Sequence, residues 1–193
     1  MTKLLPEQEK ARDYLHRKGT LLSPREVHER VRAAFAATEE FLDGVSAAEA
    51  RRRPSPEEWC VQEVVDHLVE SHRPGVEELR CLLRGERPSD KPIPASLQSM
   101  APLDRPWPGL VGELKQLHTE ILEILSKIPG NFTSEARAPV MMVINAKQPD
   151  GSEGVIHWIE ELDWKAYAVV FRVHEIEHLN QAKRAIQSLR AAR

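Results

Sequence analysis

Rings and sulfur are scarce in this chain: aromatic residues make up 5% of it, and two cysteines, Cys60 and Cys81, are too few for a disulfide framework. The shortage of rings, with Ala, Leu, Glu and Arg predominating, favours helix over strand. The shortage of thiols excludes the disulfide-stapled class and makes a reducing cytoplasm the expected compartment. Long apolar runs are missing as well. The start MTKLLPEQEK has no apolar core of signal-peptide length, and the longest apolar helical run, around Ala166 to Phe171, falls far short of the roughly 20 residues a membrane span needs. No membrane partner is therefore expected. Neither sign of charge is in excess: 27 Lys and Arg stand against 30 Asp and Glu, a net charge of −3. A general nucleic-acid binder needs a basic footprint, which such a balance does not supply, so no nucleic-acid partner is expected.

What remains is a 193-residue chain with 41% apolar and 30% charged residues, long enough to bury a core as one domain. Residues 1–22 read as a short, mostly solvated lead-in helix, and residues 23–193 as the domain proper. At Ser23-Pro24-Arg25-Glu26, a capping Ser, Pro at the first helical position and Glu at the third start a helix, because the hydroxyl and carboxylate satisfy backbone N–H groups with no partner inside the helix. Val27, Val31, Ala34, Phe35, Thr38, Leu42 and Val45 follow at helical spacing. Start signals recur at Ser55-Pro56-Glu57-Glu58 and Cys60-Val61-Gln62-Glu63, before a stripe of Val61, Val64, Val65, Leu68 and His72. Pro74-Gly75 predicts a kink or break there. The five prolines between Glu86 and Trp107 predict a long surface loop.

Pro108 opens a third long helix, with Leu110, Leu114, Leu117, Ile121, Leu125 and Ile128 on one face and Pro129-Gly130 as its stop. Val140 to Asn145 is a β-prone run, Pro149-Asp150-Gly151 a turn and Val155 to Trp158 a returning strand, which together predict a small hairpin. A last helix is expected over 160–191. The fold class is all-α, a four-helix bundle with a long crossover loop and a small β-hairpin before the last helix.

Eight histidines are the chemical signal. His174-Glu175-Ile176-Glu177-His178 sets two imidazoles four residues apart on one helix face, where both reach a single metal ion. Chance alone supplies about 0.3 such pairs in a chain of this content, so phase matters more than spacing. At 100° per residue, Tyr167, Phe171, His174, His178, Ala182, Ala185 and Leu189 share a stripe, which points both imidazoles into the apolar face. The five residues also match the zincin pattern H-E-x-x-H, with Glu175 as general base. A zincin draws its third ligand from downstream, however, and Leu179 to Arg193 contain no His, Asp or Glu. The third ligand must come from upstream, and His67, on the flank of the second helix, is the best donor.

The run Trp59-Cys60-x-x-Glu63-x-x-x-His67-Leu68, with His174-x-x-x-His178, resembles the DinB-like family of metal-binding four-helix bundles, and within it the YfiT-type metal-dependent hydrolases. Leu117-His118 and Asn131-Phe132 also resemble that type. The resemblance covers about 23–186; Cys60 stands where the family has Ser or Thr, and 140–158 does not align. It implies the bundle fold and a three-histidine divalent-metal site made by His67, His174 and His178, suited to zinc or nickel and open to iron or manganese. Glu63, His118 and Gln181 are candidates for the surrounding shell or pocket. For Glu63, orienting His67 and capping its helix are equal alternatives; His118 also reads as a core histidine, and Gln181 as an interfacial polar residue. His16, His28, His72 and His157 read as surface or packing residues.

The resemblance further implies a metal-dependent enzyme acting on a small molecule. Hydrolysis and transfer of a low-molecular-weight thiol to an electrophile both remain open, and no catalytic residue is assigned. A non-catalytic metal-binding stress or assembly protein, held as a homodimer by its helices, is the alternative.

Overall fold

The computed structural model describes residues 5–147 and 153–191. Helix α1 (Pro6–Asp13) runs on through π-helical turns at Tyr14–Gly19, and then come α2 (Pro24–Asp43), the short α3 (Ala47–Ala50), α4 (Val61–Leu83) and α5 (Trp107–Ser126). Strands β1 (Ala138–Lys147) and β2 (Glu153–Leu162) precede α6 (Trp164–Ala191). The ends follow local chemistry. Ser23 Oγ accepts the Glu26 N–H at 3.3 Å while the Glu26 carboxylate accepts the Ser23 N–H at 2.8 Å. The Glu63 carboxylate likewise accepts the Cys60 N–H at 2.9 Å, so α4 begins with half of the reciprocal cap intact although Cys replaces the hydroxyl. The Ser55 signal starts no helix: its hydroxyl is spent on Glu58 at 2.9 Å within a turn.

Helices α2, α4, α5 and α6 form the bundle. Each of α2 and α4 packs on both α5 and α6, so chain neighbours α2 and α4 lie on one diagonal and α5 and α6 on the other. Ion pairs report direction. Arg73 reaches Glu113 and Arg80 reaches Glu120, so α4 and α5 run parallel. Glu39 with His118 and Asp43 with Lys115 make α2 and α5 antiparallel.

Two parallel neighbours in sequence require a connection that returns the full length of the bundle, and 84–106 does so. It passes down α4 in reverse: Glu86 N–H bonds Cys81 O at 2.9 Å, Leu97 O meets His67, Ser99 meets Asp66, and Pro102 O accepts from Gln62 at 2.9 Å. The long crossover expected from its prolines is present, as a strap laid against α4.

Three local expectations change. Of the kink or break expected at Pro74-Gly75, the break does not occur: α4 continues through, because His72, Gly75, Val76 and Leu79 are all buried around the proline and tertiary packing outweighs one missing backbone donor. The lead-in is solvated only in part: α1 has no buried residue, but beyond it Leu15 is 2% exposed and a Cβ on Gly19 would come within 2.9 Å of Ala166 Cα, so the π-helical turns are seated on α6. The last helix starts at Trp164, since β2 extends to Leu162 and Asp163 Oδ1 caps the Ala166 N–H at 2.8 Å. The hairpin itself is present and antiparallel, from Ala138 opposite Leu162 to Lys147 opposite Glu153. Its expected turn, Pro149-Asp150-Gly151, lies outside the described residues.

The core joins all four long helices through residues such as Phe35, Leu68, Leu79, Leu114, Ile121 and Phe171. Among the described residues no helix is long and apolar enough to cross a membrane.

Candidate metal centre

Gly75 packs on Phe171 and Tyr167, and Tyr167 Oη donates to Glu78 at 2.6 Å, while His67 lies opposite His174 and His178. Helices α4 and α6 are therefore antiparallel, and that direction converts two distant sequence motifs into one cluster. Ring centroids of the three histidines are 4.5–5.0 Å apart. His67 Nε2 and His174 Nε2 are 2.9 Å apart, and one nitrogen from each of the three lies within 4.8 Å of the others.

The outer nitrogens are held from behind. Leu97 O, carried by the strap, accepts from His67 Nδ1 at 2.7 Å, and Gln181 Oε1 accepts from His178 Nδ1 at 2.9 Å. With Nδ1 donating in each ring, Nε2 presents its lone pair inward, the tautomer a metal ligand requires. Trp59 covers the group, with its ring 5.4 Å from His67 and 6.5 Å from His178. Burial pushes His67 below the usual imidazole value and His174 well below it, and takes His178 down to about 4. These rings are neutral at ordinary pH, as ligands must be. The donor set fits a divalent first-row cation.

The other candidates divide. Gln181 stands behind His178, as described. Glu63 faces away from the cluster, its carboxylate bound by Arg53 and the Cys60 N–H, so in this geometry it caps α4. His118 is not beside His67. Its Nδ1 lies 2.8 Å from Glu39 Oε1 and its ring stacks on Phe35 at 3.9 Å, in a second buried cluster with His72 and Glu175. Of the surface and packing readings open to His72 the packing one holds, and Glu175 is fully buried. Its burial was legible in another stripe of α6: Ala168, Phe171, Glu175, Leu179, Ala182 and Ile186 are all buried at helical spacing.

His67, His174 and His178 open on a cleft of about 1100 Å³ between α4, α6, the strap, β1 and the lead-in helix. Its walls are largely apolar, with Met141, Met142, Ile144, Val170 and Phe171 among them. Sequence reasoning missed several contributors. Tyr14 and Lys10 come from the lead-in, and Arg172, whose Nη1 donates to Tyr14 Oη at 2.8 Å, comes from α6. Glu177 also lines the cleft, and its carboxyl is raised by burial. None of these carries a motif; only the fold assembles them.

Comparison with known proteins agrees with this architecture. No curated protein matches the chain. Among solved structures, YfiT from Bacillus subtilis, described as a probable metal-dependent hydrolase with an unusual four-helix bundle topology, matches with a TM-score of 0.62 at 13% identity. The match covers 98% of this chain and 91% of that one, and at such identity it speaks for the fold. The family model of the DinB superfamily matches residues 30–182, a span that includes α4, the strap and His67, His174 and His178, and the chain belongs to that superfamily.

Proposed function

We propose that this protein is a metal-dependent hydrolase of small, largely apolar substrates, with His67, His174 and His178 as the metal ligands. The observation that supports it is the position of three neutral imidazoles on the wall of a broad apolar cleft rather than in a closed core. A divalent cation held there supplies Lewis acidity, toward either a water or a substrate carbonyl.

The protein's own groups do the rest. Leu97 O and Gln181 keep the lone pairs of His67 and His178 aimed inward. Trp59 and the cleft's apolar wall exclude bulk water, which strengthens electrostatic interactions inside. Glu177 lines the same cleft with a raised carboxyl and is the candidate to take a proton.

A second reading, thiol transfer, draws support from Lys10 and Arg172, cations suited to the carboxylates of a low-molecular-weight thiol. Glu7, Asp13, Glu78 and Glu177 line the same cleft, however, and leave no cationic surplus. This favours hydrolysis of a neutral substrate.

The test is metal analysis of tag-free protein followed by parallel assays, one panel of esters and amides and one of thiols with electrophiles. His67→Ala and His174→Ala are expected to lose the metal of this centre and hydrolytic turnover together. Turnover only with thiols would select the second reading. Bound metal without turnover on either panel would select a non-catalytic metal-binding role.

A further inference from the structure

The core of the bundle contains a second group of ligating side chains that the proposed hydrolysis does not use. His72 from α4, His118 from α5 and Glu175 from α6 are 1%, 1% and 0% exposed, and one donor atom from each lies within 4.8 Å of the others. Both Glu175 oxygens, both His72 nitrogens and His118 Nε2 lack a hydrogen-bond partner. A buried carboxylate with imidazoles beside it but no hydrogen bond is a costly arrangement for a core, and buried polar groups are otherwise nearly always satisfied. Here His72 Nε2 and His118 Nε2 each face a Glu175 oxygen without closing a hydrogen bond.

The distances have a meaning of their own. His118 Nε2 is 3.4 Å from Glu175 Oε1 and His72 Nε2 is 3.6 Å from Glu175 Oε2. Both exceed the usual 2.7–3.2 Å range of a nitrogen-to-oxygen hydrogen bond. Donors about 2.0–2.1 Å from a tetrahedral cation stand about 3.4 Å from one another, so each imidazole is spaced from a Glu175 oxygen as two ligands of one ion would be.

The surroundings agree. Glu39 stands 2.8 Å behind His118 Nδ1, the carboxylate–histidine arrangement that fixes a ligand's tautomer and raises its basicity. A dication beside Glu175, with Glu39 one imidazole away, is matched charge for charge. Phe35 and Phe171 flank His72 with ring centroids at 5.8 and 5.3 Å, so aromatic packing holds the ring in place. His72 also borders the cleft, which gives an ion a way in.

We propose that His72, His118 and Glu175 form a second divalent-cation site, of mixed nitrogen and oxygen donors, that ties α4, α5 and α6 together inside the core. Ring centroids of His72 and His174 are 6.2 Å apart, so the two centres adjoin while drawing on separate ligands. A His₂Glu set suits zinc, and its enclosed position makes the role structural.

The experiment is zinc titration of chelator-stripped, tag-free protein, read by metal content and by Tm. Wild type is expected to take up two equivalents. The His67→Ala/His174→Ala double variant should keep one, and that remaining equivalent should still raise Tm. Glu175→Gln, which keeps shape and removes the anionic donor, should lower wild-type uptake from two equivalents to one. His72→Phe, which preserves packing against Phe35 and Phe171, should do the same. If both single variants fail to fold, uptake by wild type and the double variant decides the matter. A wild type that saturates at one equivalent, lost in the double variant, overturns the second site. Two equivalents retained in folded Glu175→Gln and His72→Phe overturn it equally. A single equivalent kept by the double variant and lost in Glu175→Gln would instead leave this site standing and remove the three-histidine centre.

Discussion

At the scale of single residues, the tautomers of the clustered histidines depend on what stands behind each ring. Gln181 Oε1 is the acceptor for His178 Nδ1, so Gln181→Ala should leave the fold intact and free that ring to rotate or change tautomer. The expected result is a 10- to 100-fold weaker affinity for the metal of the three-histidine centre, measured by competition with a chromogenic chelator. Unchanged affinity would mean that Gln181 is only interfacial. Cysteine chemistry offers an independent check on the same end of α4. Cys60 is fully buried, and burial pushes its thiol up to about 11. Iodoacetamide at pH 8 is therefore expected to modify the partly exposed Cys81 and spare Cys60, read by peptide mass after a short pulse. Modification of Cys60 first would show that the cap of α4 opens readily.

Among elements, the strap has more to do than its composition suggests. Five prolines and the lack of a sustained period mark 86–107 as a loop, and nothing in that pattern shows that Leu97 O reaches His67. The anchor is Asp66, fully buried on α4, which accepts from Ser99 N–H and Ser99 Oγ at 2.8 Å each and from Arg105 at 2.9 Å. Asp66→Ala is expected to cost on the order of 1.5–3 kcal/mol in urea unfolding, because hydrogen bonds to a charged acceptor are lost and their donors left buried. It should also weaken metal binding through His67, one residue on. A variant with normal stability and normal metal affinity would show that the strap is passive. Elements differ in how far local pattern reaches. The cap of α2 is complete within four residues, so Ser23-Pro24-Arg25-Glu26 announced it correctly. The unbroken passage of α4 through Pro74 and the late start of α6 depend on neighbours far along the chain, which local rules do not see.

For the whole molecule, the buried imidazoles make stability a function of pH. His72 and His178 are depressed by burial to about 3 and about 4 from a usual 6.5, and His67 and His174 are also lowered. A group whose folded value is depressed in this way stabilises the fold fully above about pH 6.5, and that contribution is lost as the pH falls toward the folded value. His118 has the opposite sign. Burial alone would lower it, but the Glu175 and Glu39 carboxylates hold it above the usual value, so its contribution is complete below 6.5 and lost on the alkaline side. Burial also raises the Glu78 and Glu177 carboxyls, which favour the fold as pH falls, but four depressed rings outweigh these and the one raised ring. Glu63, which burial raises and Arg53 more than offsets, sits below 4.5 and adds a further loss at still lower pH. The Tm of chelator-stripped protein is therefore expected to fall steadily from pH 7 to pH 4, and a Tm that holds or rises over that range would contradict the neutral, buried state of these rings.

Periodicity, caps and the spacing of His174 and His178 determined by themselves that this chain is a helical bundle with two imidazoles on the inner face of its last helix, because those signals act within one or two turns. The likeness of Trp59 to Leu68 to a known motif added His67 from a second helix. Tertiary structure alone decided that α4 and α5 run parallel, that the strap must return along α4 to place Leu97 O behind His67, and that the lead-in helix closes one wall of the cleft. It also decided that His72, His118 and Glu175, on three different helices, share one buried pocket. Helix direction and diagonal packing are set by contacts between residues far apart in the chain, and local pattern carries no record of them.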